Sequence, residues 1–135
     1  MLFRSFFSSA HNRGVKELLA IWPKVRLAIP DATLHIGYGT QVETHLMKER
    51  HDYIGLDRVR ATEQQLYETD GIIYHQRMNQ WELAKLQLSC EAWLYPYQHD
   101  ELWNGQGGFP ETYCITALEA QAAGAIPFKI GRAHV

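Results

Sequence analysis

Short apolar runs alternate along the chain with longer stretches in which apolar residues recur at helical spacing. Phe3 to Ser8 is aromatic-rich and runs into Ser9-Ala-His-Asn-Arg-Gly14, which predicts a strand feeding a loop. Beyond it Val15, Leu18, Leu19, Trp22, Val25 and Ile29 predict a helix, with Asn12 available as its cap. Pro23 is expected to kink that helix or to restart it after Trp22. Ala32 to Gly37 predicts a second strand, closed by Tyr38-Gly39, and Thr40 with Glu43 has the capping-box pattern of a helix start. From Val42 to Thr69 the charges are dense and the periodicity loose, so a helix is expected to break near Tyr53 to Gly55 and resume around Thr62 to Tyr67. Ile72 to His75 predicts a third strand. Asn79 and Glu82 open the next helix, whose Trp81, Leu83, Leu86 and Leu88 are expected to pack inward. Ala92 to Pro96 predicts a fourth strand, Tyr97 to Pro110 a long loop, a helix begins at about Thr112, and Ala125 to Phe128 opens a fifth strand.

This alternation implies an α/β fold, a doubly wound, Rossmann-like parallel sheet with helices on both faces. Ligands of such sheets bind outside the carboxyl ends of the strands. The segments there are Ser8 to Arg13, Tyr38-Gly39, His75 to Met78 and Tyr95 to Glu111. A chain of 135 residues has room for one domain with a real core. A net charge of -2 gives no basic field, so nucleic acid is not an expected partner. Two cysteines, Cys90 and Cys114, are too few for a disulfide framework and fit a reducing, cytoplasmic setting. The chain has no apolar run of about 18 residues, hence no expected membrane span, and its start lacks the apolar core of a signal peptide.

Candidate chemistry concentrates in Gly108 to Gly124. The glycines and Pro110 allow close approach to a ligand, and free backbone amides are expected near Thr112, Tyr113, Cys114 and Ile115, where a helix start favours phosphate. Glu111 stands at the lip and Glu119 two turns further in, a layout suited to a ligand with phosphates between hydroxyl-rich groups. In the plainer reading, Glu111 complements the helix dipole and Glu119 is solvated. The small residues Ala120, Ala122, Ala123 and Gly124 make a freely solvated Glu119 less natural. His45 and His51 with Glu49 lack metal-ligand spacing, so no metal site is expected. Cys114 has no identifiable histidine partner and is not expected to act as a nucleophile. His75 reads as a structural histidine, Trp81, Trp93 and Tyr95 as core, and Trp103 as the loop aromatic best placed to meet an acceptor.

Taken together these segments resemble the carboxyl-terminal, donor-binding domain of retaining glycosyltransferases of the GT-B fold, the large group 1 or family 4 class. The resemblance extends to Phe128 and rests on Ser8-Ser9 to Arg13-Gly14-Val15, Pro30-Asp31-Ala32 to Tyr38-Gly39, Tyr74-His75 to Leu83-Ala84, Leu94-Tyr95-Pro96 and, above all, Glu111-x7-Glu119 continuing to Gly124. It implies that Glu111 holds hydroxyls of the donor sugar and Glu119 the ribose hydroxyls. Backbone amides from Thr112 to Ile115 would meet sugar and diphosphate, Arg13 would neutralise the departing diphosphate, and Arg77 and Met78 would lie against the base. Such an enzyme needs no cofactor beyond its nucleotide-sugar donor, and no metal. The family usually has glycine where this chain has Gln76, and a second basic residue in the first loop.

The resemblance also implies a domain truncated at both ends, residues 1–129, expected to bind donor weakly and not to turn over alone. The acceptor would be held by an absent amino-terminal domain, through which peripheral membrane contact is conceivable. Ile130 to Val135 reads as a translated sequencing adapter and is expected to be non-native. Two rival expectations stand beside this one: a GT-B sugar-nucleotide epimerase, and a flavodoxin-like interaction domain without nucleotide affinity.

Overall fold

Runs as short as Arg-Ser-Phe-Phe or Ile-Ile-Tyr cannot cover a helix face, but they fill both sides of a buried parallel strand. In the computed structural model, which describes residues 3–96 and 115–129, they form β1 (Arg4–Phe7), β2 (Thr33–Ile36), β3 (Ile72–Tyr74), β4 (Ala92–Tyr95) and β5 (Ile126–Lys129). All neighbours are parallel, in the order β3-β2-β1-β4-β5. Parallel pairing requires a crossover at each step. These are α1 (Val15–Ala28), α2 (Gln41–Glu49) with α3 (Tyr53–Glu68), α4 (Gln80–Ser89) and α5 (Ile115–Ala122). Right-handed crossovers put α1 to α3 on one face as the chain steps out to β3, and α4 and α5 on the other as it returns. The protein is therefore a doubly wound, Rossmann-like α/β fold.

Strand register sorts the core. Phe6, His35, Ile73 and Trp93 lie in one row on the α4–α5 face, and Phe7, Ile36 and Tyr74 in one row on the α1–α3 face. Phe6, Phe7, Leu34, Ile36 and Trp93 are wholly buried, each side chain worth about 1.5–3 kcal/mol of burial. Trp22 of α1 is buried beside them, and its indole Nε1 donates to the Asp70 carbonyl at 2.8 Å, fastening α1 to the approach to β3. Towards β5, Leu94, Phe128 and Phe3 with Ile21 and Val25 of α1, and Ile29 just beyond it, line an apolar groove of about 300 Å³. Among the described residues no helix is long and apolar enough to cross a membrane.

Several local expectations change. α1 runs unbroken through Pro23, which sits on the exposed face while Leu18, Leu19 and Trp22 hold the inner face on the core. The residue before Val15 is Gly14, and no side chain caps the helix, because Asn12 is taken into a 3-10 turn, His11–Arg13. Thr40 does precede α2, but its side chain makes no cap bond. The break between α2 and α3 falls at 50–52, before the expected place. His51 turns the chain with φ +54°, and Asp52 caps α3 by accepting from Gly55 N at 2.9 Å. The Asn79–Glu82 box forms as read, with Glu82 N donating to Asn79 Oδ1 at 2.8 Å and Asn79 Nδ2 to Glu82 Oε1 at 2.5 Å. On α4, however, Trp81 is 79% exposed and Leu88 69% exposed. Leu86 packs inward as expected, with Leu83 partly buried beside it, and Gln87 is buried where Leu88 is not.

Candidate functional site

The strand order reverses between β1 and β4, so the crevice of this fold opens between the loops that leave those strands. At its floor the loops touch. Gly14 has φ +137° and ψ -1°, open to glycine and strained for any other residue, and an added Cβ would lie 3.1 Å from Pro96 Cγ and Cδ. The preceding 3-10 turn, closed by Arg13 N donating to Ala10 O at 2.9 Å, brings Arg13 half-buried to this crevice at the start of α1. The Ser8 hydroxyl oxygen is buried in the same loop without a hydrogen-bond partner.

The loops after β2 and β3 pack on each other. A side chain at Gly39 would come within 3.0 Å of Arg77 N, and one at Gly37 within 3.1 Å of Met78 Sδ and 3.2 Å of Leu83. Met78 is thus half-buried against the core, and Arg77 is exposed beside it. Gln76 has φ +60°, the left-handed conformation in which glycine is at home, and its amide reaches back to the Tyr67 hydroxyl of α3. Backbone geometry therefore keeps the turn that a glycine would give, despite the side chain.

Glu119 lies on α5 in a groove of about 500 Å³ between α4 and α5, with Gln80, Leu83, Ala84 and Gln87 along the facing helix. The carboxylate is exposed, and the buried Gln87 amide donates to its Oε2 at 3.5 Å. Leu83 lines this groove and, with Met78, packs against Gly37, so Leu83 stands between the Glu119 groove and Met78. Ile115 is the first residue of α5. Glu111, Thr112, Tyr113 and Cys114 lie outside the described residues, as do Trp103, the helix start near Thr112 and residues 130–135.

The histidines carry information absent from the sequence pattern. His35 Nδ1 and His75 Nε2 share one proton across 2.9 Å, with their rings stacked. Burial, then the His75 charge and the Arg4 charge, push the His35 pKa down to about 4. His75 is also lowered, by burial, against an opposing pull from Glu82. His11 is only 8% exposed. Its Nε2 donates to the Tyr38 carbonyl at 2.5 Å, its ring tilts against Tyr74, and its Nδ1 is buried without a partner. Tyr74 itself donates to Glu63 Oε2 at 2.6 Å, and burial and this bond hold its hydroxyl protonated well beyond the ordinary range. A loop histidine gives no hint of such burial. The signal is tertiary, from Tyr38 and Tyr74 closing over it.

No protein-family model and no curated protein matches the chain. The plain description it supports is a Rossmann-like α/β domain whose loops converge at the carboxyl edge of a parallel sheet.

Proposed function

We propose that the chain is the donor-binding domain of a retaining glycosyltransferase of the GT-B type, taking a nucleotide-diphosphate sugar across the crevice between β1 and β4. The observation that carries this reading is Glu119 in the α4–α5 groove, whose wall residue Leu83 packs beside Met78 at Gly37. A nucleoside there would set its base near Arg77 and Met78 and its ribose hydroxyls on the Glu119 carboxylate. The diphosphate would then run toward the amides at the start of α5 and toward Arg13. Charge accumulates on a diphosphate as its bond to the sugar breaks. A cation and a helix N-terminus placed there favour the transition state over the ground state, so the departure requires no metal. Glu111 would orient the donor sugar, and a separate domain would bring the acceptor.

Calorimetric titration of the chain with UDP, GDP and ADP, and with their sugars, tests the reading. Binding of one nucleotide, weakened about ten- to a hundred-fold by Glu119→Gln through loss of a charge-assisted hydrogen bond, is the expected result. A folded chain indifferent to all of them would leave the flavodoxin-like alternative.

A further inference from the structure

A second cavity lies on the opposite face from Glu119. It measures about 660 Å³, within the range of roughly 300–1,000 Å³ that small-molecule sites occupy, and sits beneath α2, between the start of α1 and the inner side of α3. Its position explains an oddity of α2: the helix has no buried residue at all. α2 packs against α3 at its end but stands off the core, with the cavity under Glu43 and Met47.

Two acceptors in its wall are unsatisfied. Because His11 Nε2 spends its hydrogen on the Tyr38 carbonyl, Nδ1 carries a lone pair, buried and unpartnered. Glu43 Oε1 is likewise buried and unpartnered; the capping box that would have used this carboxylate does not form. Lys16 and Arg58 add donors to the same wall, and Thr40 and Thr62 add hydroxyls. Bare acceptors interspersed with donors suit a neutral ligand whose groups both give and receive hydrogen bonds. A metal ion fits less well, since the described residues hold no group of three His, Cys, Asp or Glu set to share one.

We propose that this cavity is a binding site for a neutral polyhydroxylated molecule, a sugar or cyclic polyol, whose hydroxyls donate to His11 Nδ1 and Glu43 Oε1. The site is separate from the Glu119 groove and does not depend on the nucleotide reading.

The test is amide-shift mapping of the full ¹⁵N-labelled chain titrated with mannose, glucose and myo-inositol at millimolar concentration. At least one of them is expected to shift His11, Thr40, Glu43 and Thr62 in a saturable way. Glu43→Ala, which removes a buried carboxylate oxygen that has no partner within the fold and so is tolerated, should weaken that binding at least tenfold. No shift at these residues with any of the three, or shifts that Glu43→Ala leaves unchanged, would overturn the proposal. Shifts confined to the Glu119 groove would also overturn it, while leaving the nucleotide reading standing. Failure of UDP, GDP and ADP to bind, with polyol shifts intact, would separate the two in the other direction.

Discussion

Gly14 is the point at which the backbone of this fold is most exacting, and Gly14→Ala measures how exacting. A φ of +137° with ψ near 0° is reserved for glycine, and holding another residue there costs about 1–3 kcal/mol. The new methyl would also sit 3.1 Å from Pro96 Cγ and Cδ and 3.5 Å from Phe7 Cε2, so Pro96 must give way by a few tenths of an ångström. Stiffening of the unfolded chain returns roughly 0.4–1 kcal/mol. The net loss is therefore about 1–2 kcal/mol, which for an m-value of about 1–3 kcal/mol/M lowers the urea midpoint by roughly 0.3–2 M. Gly124→Ala is the natural control, because Gly124 also has positive φ, +84°, but nothing lies within 4 Å of its added Cβ. Gly14→Ala should be the more damaging of the two, through the contact with Pro96 and a φ further from any that other residues adopt. A Gly14→Ala chain as stable as the parent, or equal to Gly124→Ala, would refute the tight meeting of the β1 and β4 loops.

Acid should destabilise the fold through His35. Its folded pKa of about 4 lies below the ordinary 6.5, so the unfolded chain binds the extra proton first. Stability is then full above about pH 6.5 and falls as pH drops toward 4, by up to about 3 kcal/mol. Replacing His35 by Gln should flatten denaturation midpoints measured across that window. Asn79→Ala should cost about 1 kcal/mol in thermal unfolding, whereas Thr40→Ala, whose side chain makes no cap bond, should cost clearly less. Trp81→Ser should change stability by no more than about 0.5 kcal/mol, since the ring is 79% exposed; a large loss would show the ring to be a core residue after all.

The parallel sheet was legible in the chain because Phe3 to Ser8, Ala32 to Gly37, Ile72 to His75 and Ala92 to Pro96 are short apolar runs separated by helical periods and turn residues. Less legible were features decided by contacts distant in sequence. Nothing in the pattern tells Trp81 from Leu86; α4 turns Leu86 inward because that side of the helix faces the sheet. The α2–α3 break escaped exact placement because a left-handed His51 sets it, and histidine is no strong turn signal. Pro23 was legible as a residue and misleading as a break, since its exposed position leaves the packed face of α1 intact. Of the candidate site, the convergence of the post-strand loops followed from the alternation alone, and Glu119 does line a groove. The cavity under α2 left no trace in sequence, since Glu43 read as half of a capping box.

The central claim is that one ligand spans from Glu119 to Arg13, ribose at one end and diphosphate at the other. The measurement that bears on it most directly compares the affinity of a nucleoside with that of its diphosphate, for the parent chain, Arg13→Gln and Glu119→Gln. The account predicts that Glu119→Gln weakens both ligands about ten- to a hundred-fold, while Arg13→Gln leaves the nucleoside unchanged and removes most of the gain from the diphosphate. Equal affinity for nucleoside and diphosphate in the parent chain, or substitutions that change neither, would contradict it.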